Sequence, residues 1–291
     1  MMIKKLDAYF RLMRADKPIG TLLVLWPALT ALFFASHGRL PAYILFIFLL
    51  GAFLVRSAGC ILNDLLDRKF DAHVERTKQR PLVTGELSLK EALILMASLF
   101  LCAFILVLFL NYACLIAAVI AALMTLLYPL MKRITHLPQV WLGFTFNSGV
   151  LIAFLAIQNH LPLAAYLLYA AAILFTVAYD TLYGMLDQED DIKIGVKSTA
   201  ILFGEYNKKI TGLLSLTACI ILFILGFTEH RNNWYFGGLF SVVTYLIYQQ
   251  YRIQENNTQR YFQGFLNYNY VWLFIFLGTY LSSMVSCQHA F

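Results

Sequence analysis

Long apolar runs alternate with short polar segments along the whole chain. Runs of about 17 to 25 residues, the length that crosses ~30 Å of hydrocarbon as an α-helix, recur nine times. They cover residues 19–36, 41–62, 89–109, 112–130, 138–157, 161–184, 211–228, 234–250 and 269–287. The pattern predicts an all-α polytopic membrane protein with about nine transmembrane helices. Residues 3–18 place Ile3, Leu6, Phe10 and Met13 at helical spacing beside basic residues, which predicts a short helix lying on the membrane surface. The connections are unequal. Residues 65–88 and 187–210 are long enough for a partly ordered cap on one side of the membrane, whereas those on the other side are short. No linker or charge block divides the chain, so residues 1–291 are expected to form one domain.

Composition agrees with this reading: of the 291 residues 60 % are hydrophobic and 13 % charged, and mean hydropathy is +0.70. That leaves too few polar side chains to cover a soluble globule. Nineteen of the 22 Lys and Arg residues fall in the N-terminal segment and in alternate loops, and such loops stay cytoplasmic. A cytoplasmic N-terminus is therefore expected, with no cleavable signal, and nine crossings put the C-terminus on the other side. The same alternation accounts for the net charge of +6 without a continuous basic patch, so nucleic acid is not an expected partner. The five cysteines are isolated and have no paired-ligand spacing.

Acidic residues depart from the apolar pattern. Nine of the 16 fall in two windows. The first closes the second apolar run as Asn63-Asp64-Leu-Leu-Asp67-Arg68-Lys69-Phe-Asp71, followed by Glu75; the second is Asp180 with Asp187-Gln-Glu189-Asp190-Asp191. At about 100° per residue, Asp64, Asp67 and Asp71 lie within about 100° of Asn63 on one helix face. On the same helical spacing Asp180, Asp187, Asp190 and Asp191 also share a face. Carboxylates crowd the end of a helix that prefers cations, so positive charge should sit against them. Mg²⁺ takes one or two carboxylates plus phosphate oxygens, and two such clusters can clamp a diphosphate. Asn63, Asp64, Asp67, Asp71, Asp187, Asp190 and Asp191 are the candidate ligands.

That arrangement suits ionisation of an allylic diphosphate, with metal and Lys or Arg taking up charge on the leaving group. Candidate cations are Arg68, Lys69, Arg76 and Arg80 beside the first cluster and Lys193 and Lys197 beside the second. Arg14 and Lys17 lie close enough to the membrane to reach the same site. Tyr128 and Lys132 share a helix face at the end of the fourth run and add a donor and a cation. Arg56 lies seven residues before Asn63, about 10 Å deeper on its face, and Asp180 holds the corresponding place before Asp187. An Arg inside a span is by default functional.

The chain resembles the UbiA superfamily of intramembrane prenyltransferases. The two acidic motifs and the Tyr128 and Lys132 pair carry the resemblance. Further matches are Arg14-Ala-Asp-Lys17-Pro-Ile-Gly20, Arg56-Ser-Ala-Gly-Cys, Lys132-Arg-Ile-Thr-His-Leu-Pro-Gln139, Tyr179-Asp180-Thr-Leu-Tyr-Gly and Asp191-Ile-Lys193-Ile-Gly-Val-Lys197. They are similar to the branch that prenylates 4-hydroxybenzoate. The resemblance implies helices around a central cavity open to lipid and Mg²⁺ at the acidic motifs. It also implies transfer from a polyprenyl diphosphate to the ring carbon ortho to the hydroxyl, for ubiquinone, in a bacterial inner membrane. No obligate protein partner is implied. A hydroxybenzoate carboxylate inside the membrane needs a cation, and Arg56 is the first choice; the alternative is that Arg56 and Asp180 pair and neutralise each other, and otherwise Asp180 would take the phenol hydrogen bond. Phe146-Asn147-Ser148 replaces a more usual Gly-Trp-containing segment.

Two other readings stand beside this one: another acceptor, such as dihydroxynaphthoate, homogentisate, haem or chlorophyllide, and a divalent-cation transporter. Permeation expects acids deep in the membrane or on both sides. Only Asp180 lies deep inside a run, and Glu229 is alone in the opposite loops.

Overall fold

A computed structural model describes residues 2–72, 77–253 and 257–288. Every element among them is helical, as it must be where lipid offers no partner for backbone N–H and C=O groups. The surface helix α1 (Met2–Leu12) leads into α2 (Ile19–Ser36) and the long α3 (Ala42–Asp71), which carries the first acidic motif on its last turns. A single turn, α4 (Pro81–Thr84), follows, then α5 (Leu89–Val107), opened by a Ser88/Glu91 capping box, and α6 (Tyr112–Ile134).

The fifth apolar run is broken into α7 (Pro138–Phe146) and α8 (Ser148–Gln158) at Asn147. Backbone groups freed by such a break need new partners in lipid. Asn147 Nδ2 donates to the Gly143 carbonyl and to Thr176 Oγ1, both at 2.8 Å. The chain continues through α9 (Leu163–Gly184), α10 (Gln188–Ile194), α11 (Thr199–Phe203), α12 (Asn207–Thr228), α13 (Asn233–Arg252) and α14 (Thr258–Gln288).

Seven of these segments are long and apolar enough to cross a membrane: residues 19–36, 42–68, 89–107, 112–134, 138–158, 163–184 and 199–228. Helices α13 and α14 have the length for the other two expected spans but are rich in Tyr, Asn and Gln. Gln249, Asn267, Thr279 and Ser282 are placed inward and buried, whereas Tyr248, Tyr251 and Tyr270 are exposed.

Two packed halves flank a central space. Helices α2, α8, α9, α12, α13 and α14 share one core around Phe34, Phe175, Tyr179, Tyr268 and Trp272. Helices α1, α3, α4 and α5 share a second around Leu12, Leu54, Ile61 and Leu82. Lipid is as apolar as a side chain, so close backbone approach carries much of the packing. A Cβ on Gly238 would lie 2.9 Å from Gly278 Cα, for example. Cys60, Cys114 and Cys219 are buried thiols, whereas Cys102 is exposed on α5.

At the end away from the acids, Arg231 ties three elements together. Its Nη2 donates to the Phe34 carbonyl at 3.0 Å, its Nη1 to Ser283 Oγ at 3.1 Å, and its guanidinium lies 3.8 Å from the Phe34 ring centroid. Arg231→Ala is expected to cost about 1–3 kcal/mol of stability, read as a lowered Tm in detergent with substrate KM values unchanged. An unchanged Tm would remove this role.

Candidate functional site

A cap at one end of the bundle consists of α1, α4, α10 and α11. Below it, between the two halves, lies a cavity of about 1300 Å³. Its upper wall is polar and its lower walls are apolar, built from Leu23, Val24 and Ala28 of α2, Ile47 and Phe48 of α3, Phe100 and Phe104 of α5, and Ala118 and Ala122 of α6.

Both acidic motifs meet here. Asn63, Asp64, Asp67, Asp71, Asp180, Asp187 and Asp191 all line the cavity, as do Arg14, Lys17, Arg56, Arg80, Tyr128, Lys132 and Lys197. Three expected members do not line it. Asp190 is exposed and pairs with Lys193 at 3.2 Å on the surface of α10, and Arg68 donates from Nε to the Leu82 carbonyl at 2.8 Å, fastening α4 to α3. Arg76 and Glu75 lie outside the described residues, as does the Lys69 side chain. The second motif also differs in shape: α9 ends at Gly184 and Asp187 precedes α10 with φ −108°. One helix therefore does not run from Asp180 to Asp191. The turn carries Asp187 and Asp191 to the cavity and leaves Asp190 outside it.

The countercharge expected against the first motif comes from the chain itself. Arg14 Nη2 lies 3.0 and 3.1 Å from the two Asp64 oxygens, and Arg80 Nη1 lies 3.0 Å from Asp64 Oδ1 while also bonding Asp71 Oδ2. Lys132 Nζ donates to Asp67 Oδ2 at 3.2 Å. Burial raises the Asp71 carboxyl above its ordinary pKa, and the Arg80 charge opposes that rise. Among the described residues, no three Asp, Glu, His or Cys side chains are gathered closely enough to hold a metal ion. The donor set nevertheless suits a hard cation: Asn63 Oδ1 is buried with no hydrogen-bond partner, and the carboxylates beside it supply oxygen ligands.

Deeper in the cavity, Arg56 forms no ion pair with Asp180. Its guanidinium carbon lies 5.3 Å from the Phe146 ring centroid, and its Nε is buried without a partner. Gly20 makes room for it, since a Cβ there would sit 2.6 Å from Arg56 Nη2.

Sequence reasoning missed several lining residues. Gln139 Oε1 accepts from the Thr199 backbone N–H at 2.9 Å and so joins α7 to α11; a buried Gln in the first turn of an apolar run was the available signal. Phe146, Thr145 and Ser148 reach the cavity because of the break at Asn147, which apolar periodicity does not reveal.

A helical bundle around a cavity that is charged at one end and apolar along its length defines a membrane-embedded site for an amphiphilic molecule. The chain belongs to the UbiA prenyltransferase family, whose profile matches residues 24–282. It is 48 % identical over 278 residues to the 4-hydroxybenzoate octaprenyltransferase of Cronobacter sakazakii, covering 96 % of each chain. With the enzyme of the same name from Coxiella burnetii it is 45 % identical over 279 residues, 96 % of this chain and 97 % of that one. Among solved structures, a UbiA homolog from Archaeoglobus fulgidus bound to GPP and Mg²⁺ shares the fold. Its TM-score is 0.72 at 19 % identity, over 92 % of this chain and 99 % of that one.

Proposed function

We propose that this protein transfers the polyprenyl group of a polyprenyl diphosphate to the carbon of 4-hydroxybenzoate ortho to its hydroxyl, releasing diphosphate, as a step towards ubiquinone. The observation that carries the reading is the cavity itself. Carboxylates from two separate helix ends and a set of Lys and Arg residues share its polar end, while α2, α3, α5 and α6 supply an apolar channel. The relatives' names supply the acceptor. The protein sits in a bacterial inner membrane as one domain with nine crossings and a cytoplasmic N-terminus, in keeping with the distribution of Lys and Arg.

Asn63, Asp67, Asp71, Asp187 and Asp191 would hold Mg²⁺, which when bound neutralises charge on the diphosphate. Lys17, Lys132, Lys197 and Arg80 face the same charge from the cavity wall. Arg56 receives the acceptor carboxylate, which left unpaired in low dielectric would be very costly. Asp180 accepts the phenol hydrogen bond and so enriches the ring in electrons. The allylic C–O bond breaks with its electron pair leaving on diphosphate. The ring carbon then forms the new C–C bond and gives its proton to solvent. In the purified protein, chelation with EDTA is expected to reduce prenylated product to background and added Mg²⁺ to restore it. Undiminished product under EDTA would exclude the metal.

A further inference from the structure

Asp64 stands apart from the acids around it. It is only 2 % exposed, and its carboxylate is occupied by two guanidinium groups from different elements. Arg14, in the connection after α1, approaches both of its oxygens at 3.0 and 3.1 Å. Arg80, which precedes α4, reaches Oδ1 at 3.0 Å and continues to Asp71. Both arginines line the polar end of the cavity.

The backbone at Arg14 is a second observation at the same place. Arg14 closes α1 in the left-handed region, with φ +56°, and the Ala15 N–H returns to the Phe10 carbonyl at 3.1 Å. That is the turn in which helices ordinarily place Gly, because a Cβ is strained there. Backbone strain of this kind clusters at ligand sites, and Arg14 lines the cavity. On α1 itself, Arg11 bonds Asp7 and Glu86, and Lys5 pairs with Glu91 at 2.5 Å. These contacts hold the helix against the cap and fix where Arg14 begins.

We propose that Asp64 is a positioning residue and not a metal ligand. It holds Arg14 and Arg80 at the cavity mouth so that their remaining N–H groups meet the diphosphate. The two guanidiniums make three contacts with the buried Asp64 carboxylate, most of the roughly four lone-pair sites it has, whereas Asn63 Oδ1 is unpartnered. This inference rests on the diphosphate reading above and adds a division of labour within the first motif: Asn63, Asp67 and Asp71 toward metal, Asp64 toward the arginines.

The test compares Asp64→Asn, Arg14→Gly and Asp67→Asn in the purified full chain. Three quantities are read: Mn²⁺ affinity by electron paramagnetic resonance without substrate, and KM and kcat for the polyprenyl diphosphate. Asp64→Asn is expected to leave Mn²⁺ affinity within about twofold while raising the diphosphate KM about tenfold or more, the loss typical of charge-assisted hydrogen bonds. Arg14→Gly relieves the backbone strain and is expected to raise the same KM without lowering Tm. Asp64→Asn combined with Arg14→Gly should do no worse than the worse single variant, because the two residues act as a unit. Mn²⁺ affinity lost in Asp64→Asn as in Asp67→Asn would make Asp64 a ligand and overturn the proposal. So would an unchanged diphosphate KM in both Asp64→Asn and Arg14→Gly. Unaltered Mn²⁺ affinity in Asp67→Asn would instead count against the metal site, and the KM values would still decide the role of Asp64.

Discussion

Asp67→Ala and Asp191→Ala should each lower the rate of prenyl transfer by about a thousandfold, the scale reached when a group that stabilises developing charge is removed. The two residues lie on α3 and α10 and meet only at the cavity, so equal losses in both would show that the two motifs serve one site. Asp190→Ala is the comparison within the same motif. Its side chain is exposed and paired with Lys193, and surface pairs of this kind contribute little, about 0–1 kcal/mol, so activity should stay within about threefold of the parent. Initial rates at saturating concentrations of both substrates check all three. Full activity in Asp67→Ala and Asp191→Ala would remove the metal clamp.

Arg56→Ala should raise the KM for 4-hydroxybenzoate at least tenfold, about 1.4 kcal/mol, while the KM for the polyprenyl diphosphate changes little. Among the described residues the guanidinium forms no ion pair with a carboxylate, and it is held over Phe146 with its Nε unsatisfied, so an incoming carboxylate would meet an available charge. Gly20→Val should shift the same constant in the same direction, since its Cβ would lie 2.6 Å from Arg56 Nη2 and displace the guanidinium. A steady-state matrix of both substrates separates the two KM values. Acceptor KM unchanged in Arg56→Ala would move the carboxylate subsite elsewhere.

Much of this architecture was legible in the sequence because membrane solvation imposes a simple rule. Apolar runs must be helices, and charge at their ends must have a reason. The convergence of residues 63–71 with Asp187 and Asp191 followed from helical spacing and from the resemblance together. The misplacement of Asp190 came from extending one helix through residues 185–187, where the chain turns. The nine-run count met a different obstacle. Helices α13 and α14 bury Gln249, Asn267 and Ser282 inside the bundle, so their composition reports packing as well as lipid.

What stayed hidden depends on contacts between distant segments. Nothing in the local pattern shows that Arg14 and Arg80, separated by α2 and α3, close on a single carboxylate. The break at Asn147 was equally invisible, because its compensating partner, Thr176, lies on another helix. Phe146 faces Arg56 only once that break exists.

The central claim is that the amphiphilic cavity joins a polyprenyl diphosphate to 4-hydroxybenzoate. The most direct measurement incubates proteoliposomes containing only this protein with Mg²⁺, 4-hydroxybenzoate and a polyprenyl diphosphate, and identifies the products by mass spectrometry. The account predicts 4-hydroxybenzoate carrying one polyprenyl group on the carbon ortho to the hydroxyl, formed with one equivalent of diphosphate. Intact substrates after prolonged incubation, with Mg²⁺ crossing the membrane instead, would contradict it.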